Sequence, residues 1–365
     1  MTDFTLPLRP DLVNQVPYGA PQDSVQARLN VNENPFTPGD QFRQALANAV
    51  FDASMDLNRY PDRDAVKLRQ AIARYIKRES NAVVEIDRIW AANGSNEVMS
   101  HIFGAFGGPG HSVLTFSPTY SMYPEYARDS FTEFISLDRS SDFSIDPVIA
   151  CDAITANRPS LVLIASPNNP TGTAIPLEHL RQIIECAREV NALVVVDEAY
   201  AEFRRDSSET AVRLLDSNPN VIVTRTLSKA FGFAGARVGY CLTSTPDIVA
   251  ALMLVRLPYH LSAITQAVAV TALDHDSELS QQVAILRSER DFLATELAAL
   301  GLEVSPSDAN FIFFGIFDDR HAIWKKLYDR GVLIRETGPD GWLRVSVGTP
   351  AENQLFLSAL REVVL

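Results

Sequence analysis

Six short apolar runs recur along this chain, at residues 89–91, 113–116, 161–165, 193–196, 221–223 and 238–242, and none alternates with polar residues. A strand with one wet face alternates, so an unbroken run suits a strand covered on both faces. Between the third and fourth runs a helix-period stretch at 177–190 opens at Pro176 and turns Leu180, Ile184 and Ala187 to one side. Apolar runs alternating with helical stretches are the rhythm of βαβ units, which predicts an α/β fold with a mostly parallel sheet sandwiched by helices.

The ends of the chain read differently. The first 35 residues are rich in Pro, Asn and Gln and have little periodicity, so they read as an arm. Helices are predicted at 39–51 and 64–79, the second with Leu68, Ile72 and Ile76 on one face and Asp64 as its cap. Beyond about residue 250 the rhythm stops. A long helix fits 277–300, closed by Gly301. A strand at 311–317, a helix at 319–330 and strands at 332–335 and 343–347 follow. The expected division is an arm over 1–35, a large domain over 36–255 and a smaller α+β domain over 256–365.

Charge and composition narrow the partners. The formal net charge is −13, which argues against a nucleic-acid binder, because that needs a basic face. An acidic chain that binds anions must use local cations, so individual arginines matter. No apolar run approaches the length of a membrane span, so no membrane partner is expected. Three cysteines without CxxC spacing, and six histidines without a metal-ligand pair, predict neither disulfide nor metal. The N-terminus lacks a basic-then-apolar signal. With the cysteine usage, this predicts a cytoplasmic protein.

In open α/β sheets ligands bind beyond the carboxyl ends of the strands. Four polar clusters stand there: Asn93-Gly-Ser-Asn-Glu97, Ser166-Pro-Asn-Asn-Pro-Thr-Gly172, Asp197-Glu-Ala-Tyr200 and Thr224-Arg-Thr-Leu-Ser-Lys-Ala230. A lone lysine is ordinarily a solvated surface group. Lys229 instead follows a buried strand in a small-residue stretch, with Arg237 eight residues on. A lysine that forms a Schiff base needs such desolvation and nearby fixed charge to be nucleophilic near neutral pH. Thr226 and Ser228 offer hydroxyls to a phosphate, and Arg237 can pair with it bidentately.

Asp197 alone would be a cap or turn residue. After a buried run it can hold a cationic ring nitrogen, with Tyr200 and Asn169 beside the same ring's phenolic oxygen. Ser95 and Asn96, ahead of a predicted helix at 97–106, either form a capping turn or offer free amides to an anion. Tyr120, after the run at 113–116, is placed to stack on a ring or to fill core.

SPNNPTG, DEAY and TLSKAFGFAGARVG, in that order, resemble fold-type I aminotransferases of class I and II. The likeness runs from about residue 29 to 349, so it covers nearly the whole chain. It implies a large domain with a seven-stranded sheet, pyridoxal 5'-phosphate as cofactor, small amino and oxo acids as substrates, and a homodimer. Lys229, Asp197 and Tyr200 take the catalytic roles; Asn169, Ser95, Asn96, Tyr120, Thr226, Ser228 and Arg237 hold the cofactor. Tyr60 would reach the partner subunit's cofactor phosphate.

LNVNENP at 29–35, RYPD at 59–62, SPTYSMY at 117–123 and LRVSVGT at 343–349 are most similar to the branch acting on histidinol phosphate. That branch implies Arg344 for a substrate carboxylate, Arg335 for a substrate phosphate, and Tyr18, Asn32 and Asn310 along the substrate pocket. Aromatic amino-acid transamination and phosphothreonine decarboxylation are alternatives on the same scaffold. A regulatory cofactor-binding module is a third, but no basic N-terminal extension supplies its DNA-binding part. Two positions depart from the family pattern: Asn96 stands where Asp is frequent, and His260 follows Pro258-Tyr259 where Asn is frequent.

Overall fold

The unbroken apolar runs are strands, and their carboxyl ends are in register. The computed structural model describes residues 4, 6–205 and 209–364. Along the first part lie β1 (Ala27–Arg28), α1 (Asp40–Ser54), α2 (Val66–Ser80), β2 (Ile89–Ala92), α3 (Gly94–Phe106), β3 (Ser112–Ser117), α4 (Tyr123–Ser130), β4 (Glu133–Asp138) and α5 (Pro147–Asn157). Then follow β5 (Leu161–Ala165), α6 (Leu177–Glu189), β6 (Leu193–Asp197), β7 (Val221–Thr226), β8 (Gly239–Thr243) and α7 (Pro246–Val255).

Seven of these strands form one sheet in the order β2-β8-β7-β6-β5-β3-β4, parallel except for β8. Every residue of β5, β7 and β8 is buried, which is why these strands read as continuous apolar runs. β4 is one of two edge strands and, unlike the buried β2 at the other edge, is largely wet, so its sequence carried no such run. Ala165, Asp197 and Thr224 stand abreast in the ladder, so the segments after β5, β6 and β7 emerge side by side. The antiparallel β8 begins where β2 ends, with Gly239 opposite Ala92. A Cβ on Gly239 would lie 2.1 Å from the Ser95 backbone nitrogen, so only glycine lets α3 start against this strand.

The second part comprises α8 (Ala263–Asp274), α9 (Asp276–Ala299), β9 (Glu303–Val304), β10 (Phe311–Gly315), α10 (Arg320–Tyr328), β11 (Val332–Leu333), β12 (Arg335–Glu336), β13 (Leu343–Ser346) and α11 (Pro350–Val364). Four strands form an antiparallel sheet in the order β12-β13-β10-β9. The run at 332–335 is split between two sheets: β11 pairs in parallel with β1, and β12 pairs with β13.

Three expectations need correction. Residues 27–32, read as arm rather than packed element, are packed: Ala27, Leu29, Asn30 and Asn32 are buried, because β1 completes a ladder with β11. Asp64 does not cap α2. The Val66 amide donates to Asp62 Oδ2 at 2.8 Å, while Asp64 pairs with Arg63 and Arg256. Cys151 and Cys186 form a disulfide, their Cα atoms 5.6 Å apart, because α5 and α6 pack side by side. No residue spacing signals that pairing. No helix among the described residues is long and apolar enough to cross a membrane, and no group of three or more His, Cys, Asp or Glu side chains among them could hold a metal.

Candidate active site

The sheet's carboxyl edge opens into a cleft of about 260 Å³, walled by the ends of β5, β6 and β7, the start of α3, residues 18–32, and β12 and β13. Lys229 follows β7 at the floor, and its Nζ donates to the Val31 carbonyl at 2.8 Å. Burial, reinforced by the positive charges of Arg344 and Arg237, pushes its amine down to about 8. A neutral amine is therefore accessible at a pH where a surface lysine stays fully charged.

Asp197, at the end of β6, is buried. Tyr123 donates its hydroxyl to Asp197 Oδ2 at 2.9 Å, and Thr224 donates to Oδ1 at 3.2 Å. Burial pushes this carboxyl up, while the two hydroxyls and the Ala199 backbone amide pull it down. No cationic side chain among the described residues forms an ion pair with it. The site therefore holds a buried, oriented carboxylate that lacks a positive partner. Three residues further on, Tyr200 is buried with its hydroxyl accepting from Asn32 Nδ2 at 3.0 Å.

The other end of the cleft is built for an anion. α3 begins at Gly94, and first-turn amides of a helix have no intrahelical acceptor. Gly94 has φ +82°, and a Cβ there would sit 2.7 Å from the Arg237 guanidinium. Glycine thus keeps open the corner where helix start and guanidinium meet. Arg237 Nη1 lies 3.3 Å from Ser228 Oγ, and Thr226 Oγ1 lies 3.0 Å from the same oxygen. Ser95 and Asn96 line this corner together with Tyr120.

The opposite wall holds two arginines. Arg335 and Arg344 are direct cross-strand partners on β12 and β13, and both line the cleft. Arg344 donates to Asn169 Oδ1 and, at 2.8 Å, to the Asn30 carbonyl, while its Nε is buried without a partner. With Asn169 Oδ1 so occupied, its Nδ2 remains to donate elsewhere. Tyr18 lies at the mouth, half exposed, and Asn32 lines the inner wall.

Two predicted residues, Asn310 and Tyr60, lie outside this cleft, as does His260, which the sequence marked only as a departure from the family pattern. Asn310 is fully buried behind the wall, where it donates to the Asn32 carbonyl at 3.1 Å. Tyr60 stands on the outer surface, 80% exposed, stacked on Tyr259 with ring centroids 4.5 Å apart. His260 stacks on Trp90 and its Nε2 lies 3.0 Å from the Ala91 carbonyl, so it holds the loop onto the sheet. Conversely, Tyr123 and Thr224, which orient Asp197, and Thr337, which lines the cleft beside Arg335, were not singled out from sequence. Thr224 did carry a signal: it is the first polar residue after the run at 221–223, level with Asp197 across the ladder.

A buried lysine with a depressed pKa, a buried carboxylate without a cationic partner and a separate corner of free amides and a guanidinium share this cleft. Residues 24–360 match the family model for aminotransferase class I and II, and the chain belongs to that family. Among its relatives, a histidinol-phosphate aminotransferase from Thermobifida fusca is 54% identical over 97% of this chain and 95% of its own length. One from Corynebacterium glutamicum (strain R) is 47% identical over 100% of this chain and 99% of its own. Among solved structures, histidinol-phosphate aminotransferase from Sinorhizobium meliloti in complex with pyridoxal-5'-phosphate superposes with a TM-score of 0.87. Its identity to this chain is 27%, covering 99% of this chain and 98% of that one. The fold is therefore fold-type I, as the sequence motifs implied.

Proposed function

We propose that this chain holds pyridoxal 5'-phosphate covalently through Lys229 and exchanges an amino group between histidinol phosphate and 2-oxoglutarate. The relatives carry that activity in their names at about half identity over nearly full length. The residues fit the cofactor: Ser95, Asn96, Thr226, Ser228 and Arg237 would hold its phosphate, Asp197 would offer a carboxylate to a protonated ring nitrogen, and Tyr200 and Asn169 would bond the ring's oxygen. Tyr120 supplies a face for the ring. When bound, pyridoxal phosphate supplies the electron sink that acidifies the substrate Cα–H.

The chain's own residues do the rest. Asp197, whose carboxyl burial pushes up and the Tyr123 and Thr224 hydroxyls pull part of the way back, would hold the positive charge on which that sink depends. Lys229 Nζ, freed when the substrate's amino group takes its place and neutral near its depressed pKa, would take the proton from the substrate Cα and return it as general acid. Arg344 binds the carboxylate of glutamate or 2-oxoglutarate, and Arg335 binds the phosphate of the other substrate. Tyr18 covers the mouth, and Asn32 shapes the inner wall. Both half-reactions use the one cleft, so each anion needs its own cation within reach of Lys229.

The cross-strand pair Arg335–Arg344 beside Lys229 is the observation that carries the substrate assignment. We further propose a homodimer in which Tyr60 reaches the partner copy's cofactor phosphate. Phe51, Met55, Leu57, Leu254 and Leu257 are exposed, an apolar surface that a second copy would cover. The large and small domains proposed are 36–255 and 256–365, with residues 1–35 bridging to the small one through β1.

The test compares kcat/KM for histidinol phosphate, phenylalanine and phosphothreonine with product analysis, in wild type and in Arg335→Leu. Histidinol phosphate should be preferred, and Arg335→Leu should raise its KM about 10- to 100-fold, the size of one lost charge-assisted contact, with glutamate little affected. Equal losses for both substrates would remove Arg335 from the phosphate. Release of carbon dioxide from phosphothreonine would replace the reaction.

A further inference from the structure

The inner wall of the cleft contains a hydrogen-bonded chain that ends on Tyr200. Asn32 is buried, with φ +56° in the left-handed region, which asparagine tolerates better than other residues with a side chain. Its backbone amide donates to Ser346 Oγ at 2.8 Å, and Ser346 Oγ donates to Asn32 Oδ1 at 3.0 Å. Asn310 Nδ2 donates to the Asn32 carbonyl at 3.1 Å.

These bonds decide which way the carboxamide faces. The Ser346 hydroxyl carries one proton, and the acceptor recorded for it is Asn32 Oδ1, so the carboxamide oxygen is the atom turned to Ser346. Nδ2 is then the group that meets Tyr200, at 3.0 Å. The Tyr200 oxygen accepts there, so its own proton points elsewhere, and the open direction is the cleft. The ring cannot swing away, because Phe311 packs edge-on against it with centroids 5.1 Å apart. The charged and titratable groups facing this hydroxyl are Arg344, Asp197 and Tyr18, and the Lys229 amine lies 6.0 Å from the ring centroid.

We propose that Asn32 and Ser346 are positioning residues that hold the Tyr200 hydroxyl as a donor into the cleft, aimed at the phenolic oxygen of bound pyridoxal phosphate. Asn32 acts through Tyr200 rather than on substrate, which replaces the substrate-contact role suggested by the motif LNVNENP. The inference rests on the pyridoxal-phosphate reading of the site.

The test titrates the visible absorbance of the full-length protein loaded with pyridoxal phosphate against pH. A hydroxyl donating to the cofactor oxygen stabilises its ionised form, so Tyr200→Phe should raise the midpoint by about one pH unit, the scale of one hydrogen bond to a charged group. Asn32→Gly, which keeps the left-handed backbone accessible, and Ser346→Ala should each raise it by roughly half as much. Neither should add a shift in the Tyr200→Phe background. Additive shifts there, or unmoved midpoints in both single variants with only KM altered, would overturn the inference while leaving the site reading intact. An unmoved midpoint in Tyr200→Phe would fault the assignment of Tyr200 itself, and the inference would fall with it. The two single variants are independent, so a failure of either to fold leaves the other as the test.

Discussion

Replacing Tyr123 by Phe removes one oxygen atom and should cost much of the catalytic rate. The hydroxyl donates to Asp197 Oδ2 at 2.9 Å with both groups buried. The ring packs edge-on against Tyr120, centroids 5.6 Å apart, so the phenyl group keeps its place. Asp197 retains Thr224 and the Ala199 amide but loses one of the two hydroxyls that hold its carboxyl down against burial. A neutral donor to a buried carboxylate contributes about 1.5–3 kcal/mol. If that loss falls on the transition state, kcat drops about 10- to 150-fold. KM for glutamate should change little, because Arg344 and not Asp197 meets the substrate carboxylate. Steady-state kinetics at saturating pyridoxal phosphate measure both parameters, with circular dichroism to check the fold. A kcat within about twofold of wild type, or a loss confined to KM, would refute the claim that the Tyr123 hydroxyl supports the Asp197 carboxylate against burial.

Two further perturbations bear on stability and on pH. Arg225 is buried between Glu198 and Glu79, donating to Glu198 at 3.0 and 2.9 Å and to Glu79 at 3.1 Å. Arg225→Met leaves buried Glu198 with Arg204, at 3.5 Å, as its remaining guanidinium and should lower stability by about 1.5–3 kcal/mol, read from the urea midpoint; a change below about 1 kcal/mol would contradict it. Lys229 is lowered from 10.5 to about 8, so between these values the unfolded chain carries the extra proton and apoprotein stability rises with pH across that window. Capture of pyridoxal phosphate by apoprotein needs the neutral amine, so its rate should climb about tenfold per unit below pH 8 and level off above. A rise that continues through pH 10 would show an ordinary lysine. Arg344→Leu removes a neighbouring cation and should move the break upward.

The sequence was most legible where burial was uniform. β5, β6 and β7 could be read because both faces are covered, and the clusters after them followed from strand direction. β4 escaped because an edge strand with wet positions lacks an apolar run. In the site, Lys229, Asp197 and Arg237 were readable because each stands beside a strand end or a small-residue stretch. Tyr123 was not, because its role depends on α4 meeting the end of β6, a contact no local spacing encodes. Asn32 was readable as a cleft residue, but its bonds to Ser346 and Tyr200 were not, since those partners are distant in sequence. The Cys151–Cys186 bond and the cap of α2 failed for the same reason: both are decided by three-dimensional packing between alternatives that look equal along the chain.

The covalent role of Lys229 underlies every mechanistic statement above, and one measurement addresses it directly. The protein loaded with pyridoxal phosphate is reduced with borohydride, digested and mapped by mass spectrometry. The account predicts a stable pyridoxyl adduct on the peptide containing Lys229, absent in Lys229→Ala together with the visible absorbance. An adduct on another lysine, or a visible band that survives Lys229→Ala unchanged, would contradict it.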